Sequence, residues 1–398
     1  MNNREDKIIE ALAEDVKIPE IVQRKADEAF AAIKKESCAN AVREDTYTRG
    51  RMPRKKVYFL AAAAVLAFGT ISVGAAAYMQ WSKGLSEGLK AEESQMRTLE
   101  DENMATPVSQ SVTDQGITVT AQQTIVDNYF VHLSFKVEGY ELPEGAEPAF
   151  EFSEALIDGE EGNYSALNAS FYDGTIRGED GKAVYADNTP LPADGNIEKY
   201  VIEDGSMEYD ITLANPREKG YFIGKPIHVE LANLGTASKA EFIPDIEGTW
   251  AFDWVLGGSD ESKTVSLDYT LGDTGAVVKE AEISPISLRA TLDFSYKEEE
   301  LDGFNENGEE ITSTTFAEPP SLVGVKMKDG TLYPYLYRGP GSYGYMSDED
   351  KENGIYTTVF GIDRILEPDQ VESLLFIKST PEGDTPLTED DLYIVPIN

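Results

Sequence analysis

Hydrophobic and polar positions change rhythm three times along the chain. In the first part apolar side chains recur every three or four residues. Ile8, Ile9, Leu12 and Val16 form one stripe, and Ile18, Ile21, Val22, Ala26, Ala29, Phe30 and Ile33 form a second. Pro19 suits the first turn of that second helix, where its missing N–H would be unpaired anyway. The spacing predicts a short helical segment over 1–56 with two amphipathic faces. Helices this short are marginal alone in water, so these faces need a partner protein, a second copy or the inner leaflet of a bilayer. Val57 to Met79 then reads VYFLAAAAVLAFGTISVGAAAYM, 23 residues without a charge. At ~1.5 Å per residue it is long enough for a ~30 Å hydrocarbon core, which predicts a transmembrane helix over 57–79. Residues 80–115 are polar with no strong period. They predict a stalk, helical near Leu85–Leu99 and accessible to proteolytic nicking.

Beyond the stalk the period falls to two. Tyr129, Val131, Leu133, Phe135 and Val137 alternate with Phe130, His132, Ser134 and Lys136, and similar short runs recur to Ile397 between Gly, Pro, Asn and Asp. Half-buried strands with frequent turns and no intervening helices predict a mainly β fold of two β-sandwich, immunoglobulin-like domains. Their expected bounds are 116–258 and 262–398. A shift of 159 residues sets Gly116 on Gly275, Val119 on Val278, Leu133 on Leu292 and Phe135 on Phe294. The order of the later strands recurs as well, so two domains of like topology are expected.

Charge turns this pattern into a topology. The whole chain carries a net −39. Residues 1–56 hold 13 basic and 11 acidic side chains, whereas residues 80–398 hold 21 basic and 62 acidic ones, a net of −41. Arg49, Arg51, Arg54, Lys55 and Lys56 stand just before the apolar span. A basic flank stays on the cytoplasmic side, so the N-terminus is expected inside and the acidic body outside the cell membrane. That body repels polyphosphate, and no direct nucleic-acid partner is expected. Cys38, the single cysteine, falls on the reducing inner side.

Candidate chemistry is sparse. His132 and His228 each sit between apolar strand residues, which places them on the outer polar face, and no metal-ligand spacing or nucleophile motif accompanies them. No catalytic residue, metal or cofactor is expected, and the chain does not read as an enzyme. The run Asp348-x-Asp350-x-Glu352-Asn353-Gly354 lacks the Gly and Glu positions of a calcium loop. Aromatic clusters carry more information. Trp250, Phe252 and Trp254 share one strand face and read as core. Tyr333, Tyr335 and Tyr337, followed by Tyr343 and Tyr345, are candidates either for core or for contact with an envelope ligand, sugar or peptide.

The segments IPEIVQRKADEAFAAIK, PRKK, the Ala-rich span and GITVTAQQTIVDNYFVHLSFKVEG, with GTWAFDWVL and ISPISLRATL further on, resemble the bacterial membrane proteins grouped as domain of unknown function 4179. The resemblance implies an anti-sigma-factor-like regulator. Its inner helix, through Ile18, Ile21, Val22, Ala26, Ala29, Phe30 and Ile33, would dock an extracytoplasmic-function sigma factor, and its outer domains would sense an envelope signal. The inner segment, about 50 residues, is shorter than the four-helix sigma-binding domain of better-known anti-sigma factors. A surface-displayed binding module for wall glycan or peptide is the alternative reading.

Overall fold

The period-two segments form the strands that their alternation predicts, in a computed structural model that describes residues 79–398 apart from 161–163, 165, 193–198, 239–240, 305–309, 379–385 and 398. The inner helical segment, with its partner face from Ile18 to Ile33, and the apolar span up to Tyr78 lie outside the described residues. Among the described residues no helix is long and apolar enough to cross a membrane. The fold is mainly β.

A first lobe contributes, in chain order, β1 (Ala105–Asp114), β2 (Ile117–Val126), β3 (Phe130–Glu138), β4 (Glu147–Ile157), β5 (Ala166–Phe171), β6 (Thr175–Arg177), β7 (Ala183–Tyr185), β8 (Met207–Ala214), β9 (Pro226–Ser238) and β10 (Glu241–Val255). One sheet runs β1-β2-β3-β8-β5 and a second runs β10-β9-β4, while β6 and β7 pair as a separate hairpin. Alternation sends every second residue of each sheet into one shared core, where Val119, Leu133, Phe135 and Ile211 meet Leu231, Trp250 and Phe252. The rings of Phe135 and Phe252 lie 5.5 Å apart, and Trp250 meets Phe150 edge-on at 5.7 Å. Trp250, Phe252 and Trp254 are all buried. The indole N–H of Trp250 donates to the Ile117 carbonyl at 3.1 Å, so its polar end is satisfied inside the core.

A second lobe repeats the plan with β11 (Lys263–Thr270), β12 (Val277–Ile283), β13 (Ser287–Asp293), β14 (Glu298–Phe304), β15 (Glu310–Phe316), β16 (Leu322–Met327), β17 (Leu332–Tyr333), β18 (Tyr337–Gly344), β19 (Ile355–Ile362), β20 (Val371–Ile377) and β21 (Leu392–Pro396). Its sheets are β11-β12-β13-β19-β18 and β17-β16-β20-β21, with β14 and β15 as an added hairpin. The first three strands, the return strand beside the third, and the last two strands occupy the same places in both lobes. Val119 and Val278 fall in β2 and β12, and Leu133 and Leu292 in β3 and β13, as the 159-residue shift requires. Ala281, Leu288, Leu374 and Phe376 belong to a separate second core.

Residues 80–115 are not a stalk. They form α1 (Lys83–Gly88), α2 (Glu93–Asp101) and the edge strand β1. Leu85, Leu89, Leu99 and Met104 are buried in a small third core with Ile125 of the first lobe and Ile286 and Ile365 of the second. The strap formed by 79–104 thus wedges between the lobes. Its polar residues also find partners. Ser82 N–H donates to Gln123 at 2.7 Å, and the Trp81 indole donates to Glu100 at 2.8 Å. At the start of α1, the backbone N–H groups of Lys83 and Gly84 both donate to the Glu208 carboxylate, at 2.9 and 2.5 Å. A carboxylate from β8 therefore satisfies donors that a helix N-terminus otherwise leaves orphaned. On the other side Gln95 donates to the Ile365 carbonyl at 3.0 Å and Lys90 pairs with Asp363 at 2.9 Å.

The lobes also meet directly. Asp127 accepts from the backbone N–H groups of Tyr129 and Phe130, at 2.8 Å each, and from the hydroxyls of Ser284 and Ser287 in the second lobe. Nearby, Glu282 accepts from Asn128 at 2.7 Å and Tyr129 at 2.9 Å and pairs with Lys219 at 2.8 Å. Phe130, Ala214 and Val359 close the seam with an apolar contact.

Candidate functional site

The second lobe is open along one side, where β18 and β19 of one sheet diverge from the start of β16 in the other. A cleft of about 400 Å³ lies there. Its floor is apolar, formed by Leu292, Phe360 and the loop prolines Pro319 and Pro320, and Arg177 from β6 of the first lobe reaches its edge. The Tyr337 ring sits 5.8 Å from Phe360, and Tyr343 is 65% exposed at the mouth. Burial, and then the negative charge of Glu318, push the Tyr356 hydroxyl above its ordinary value, so it stays protonated and can donate. The cleft offers aromatic faces, several hydroxyls, one carboxylate and one guanidinium. That is binding chemistry. Both histidines lie elsewhere.

The five tyrosines singled out by spacing do not form one strip. Pro334 ends β17 after Tyr333, and β18 begins only at Tyr337. Tyr335, Tyr337 and Tyr343 line the cleft. The Tyr335 hydroxyl accepts from the Leu387 N–H at 2.8 Å. Tyr333 instead carries the Arg364 guanidinium over its ring at 3.7 Å. Tyr345 is packed edge-on against Tyr356 at 5.4 Å and Tyr296 at 5.7 Å, and its hydroxyl donates to the Phe294 carbonyl at 2.9 Å. Glu318, Arg177 and Phe360 carry no local signal that marks them in the sequence; only the fold brings them to the tyrosines. The acidic run at 348–353 forms a short helix, α3 (Asp348–Asn353), capped by Ser347 and closed by Gly354 in the left-handed conformation. Its carboxylates occupy the first turn, where the helix N-terminus favours them.

Strand β18 continues directly from the cleft into the seam. Arg338 follows Tyr337, and its Nη1 is shielded from solvent without a hydrogen-bond partner among the described residues. A Cβ placed on Gly88 of α1 would collide with this guanidinium, and one on Gly84 would stand 2.7 Å from the Asp210 carboxylate. The two glycines, one turn apart, let the helix backbone approach both side chains closely. Burial raises the Asp210 carboxyl to about 7 against the opposing pull of Arg338. His132, expected on an exposed polar face, is 1% exposed. Its position alternates outward from the first core, but α1 and the second lobe cover that outer face. Its Nδ1 lies 3.1 Å from the Thr212 hydroxyl. Burial, with the Arg338 charge adding to it, lowers the imidazole to about 3, so it is neutral at ordinary pH. His228 is partly buried and pairs with Asp253 at 2.9 Å.

Comparison with known proteins adds little beyond a family. No curated protein matches the chain. A solved structure, the conserved domain protein from Bacillus anthracis, is similar at 12% identity and a TM-score of 0.38, over 81% of this chain and 97% of that one. Residues 51–139 match the family described as Domain of unknown function (DUF4179). The matched stretch runs from the basic flank through the uncharged span and the strap to the strand β3 that bears His132, and over this stretch the chain is similar to that family.

Proposed function

We propose that the chain is a non-enzymatic, single-pass membrane regulator of the anti-sigma-factor type, with its N-terminus in the cytoplasm and its β lobes outside as a sensor of envelope signals. The observation that carries the reading is the order of parts: an amphipathic inner segment, a basic flank, an uncharged 23-residue span, and beyond it a folded, strongly acidic body. The lobes read as immunoglobulin-like, because the third strand and its return partner share one sheet while the remaining pair and its neighbour form the other. Inside, the face of Ile18, Ile21, Val22, Ala26, Ala29, Phe30 and Ile33 holds a sigma factor, an assignment that rests on the family resemblance. Affinity purification of the full chain from its own membranes tests it. A sigma factor is expected to co-purify and to be lost with Phe30→Asp; recovery of none, or recovery indifferent to Phe30→Asp, overturns the reading.

The tyrosine cleft favours a second reading, a surface-displayed binding module whose inner segment is only an anchor. Removal of residues 1–45 separates the two: the module keeps its function, whereas the regulator loses it.

A further inference from the structure

The cleft in the second lobe has chemistry specific enough to name a ligand class, and this step rests on reading the cleft as the receptor of the outer body. Two rings stand at its mouth, Tyr337 at 44% and Tyr343 at 65% exposure. Exposed aromatic faces beside an apolar floor take up the C–H face of a flat, amphipathic ligand. The polar complement consists mostly of hydroxyls. Those of Tyr337, Tyr343, Tyr356 and Thr358 have no hydrogen-bond partner among the described residues, and Glu318 and Arg177 add one acceptor and one donor group of opposite charge. This near-neutral lining sits within a body of net −41, which disfavours polyanionic ligands.

An extended peptide fits less well. Peptides that join a sheet need a regular edge, and β18 is bulged between Tyr337 and Gly341. Pro340 lies in that bulge and has no N–H to offer. Tyr335 is committed to Leu387, which removes one wall of a groove for a proline-rich helix. We propose that the cleft binds a neutral pyranose unit of a glycan. Tyr343 and Tyr337 stack on the ring, and Glu318, Tyr356 and Arg177 hold its hydroxyls.

Titration of the detergent-solubilised full chain with neutral oligosaccharides tests this, using glucose, galactose, mannose and N-acetylglucosamine oligomers, with polygalacturonate and poly-L-proline as competitors of other classes. Saturable binding of a neutral oligomer is expected, weakened about tenfold or more by Tyr343→Ala with an unchanged melting temperature. Absence of binding by every neutral oligomer, binding indifferent to both Tyr343→Ala and Tyr337→Ala, or preference for poly-L-proline or polygalacturonate at these tyrosines overturns the proposal. Sigma-factor recovery from the same preparation reports separately on the regulator reading, so either can fail alone.

Discussion

Asp210 and His132 stand on neighbouring strands β8 and β3, on the face that α1 covers, and they titrate in opposite senses. Burial holds Asp210 up at about 7. Between about pH 4 and pH 7 the folded protein therefore keeps a proton that the unfolded chain releases, and this group's contribution to stability falls as pH rises. For His132, held down to about 3, the unfolded chain takes the proton below about pH 6.5, so its contribution falls as pH drops. The two slopes oppose one another across the acidic range. Asp210→Asn removes only the first. Its melting temperature relative to the unaltered protein is expected to climb steadily from pH 4 to pH 7 in a thermal unfolding series; a difference that stays flat with pH would contradict the account. Sequence reading failed at these residues for a definite reason. Alternation correctly turns His132 away from the first core, but it carries no information about what packs on the outer face.

At the scale of elements, strands were far more legible than helices. Runs such as Val131–Val137 announce themselves by period, and the duplicated order of strands followed from the same pattern. The strap helices showed only as a helical stretch near Leu85–Leu99, with no sign of what they pack against. Each is a few residues long, α1 contains two glycines that lower helix propensity, and neither has an apolar stripe of its own. They are helical because Glu208 and Gln123 accept from the N-terminal end of α1, the Ile365 N–H donates to the Leu89 carbonyl at its C-terminal end, and both lobes bury Leu85, Leu89 and Leu99. The cleft was half legible: the tyrosines stood out, while Glu318 and Phe360 meet them only through the pairing of the second lobe. Gly88→Ala tests the packing of the strap. Propensity alone favours alanine by about 1 kcal/mol. The collision with Arg338 reverses the sign, and urea denaturation is expected to show a net loss of about 1–3 kcal/mol. A stabilised variant would show that the helix does not press on the guanidinium.

At the scale of the whole molecule, the proposed orientation is one that two thiol positions can report. In intact cells a membrane-impermeant maleimide is expected to leave Cys38 unmodified and to label an Asp369→Cys variant, whose site is 94% exposed. Labelling of Cys38 in unbroken cells, or protection of position 369, would invert or abolish the proposed orientation. The strap also determines how the folded body meets any load applied through Met79. Its anchoring bonds run to Gln123 and Glu208 on one lobe and to Asp363 and Ile365 on the other. A pull on residue 79 therefore enters at the joint between the lobes, where the strap sits like a keystone. The strap yields in order from its N-terminal end, the bonds of residues 82–84 to the first lobe being loaded before those of residues 90–95 to the second.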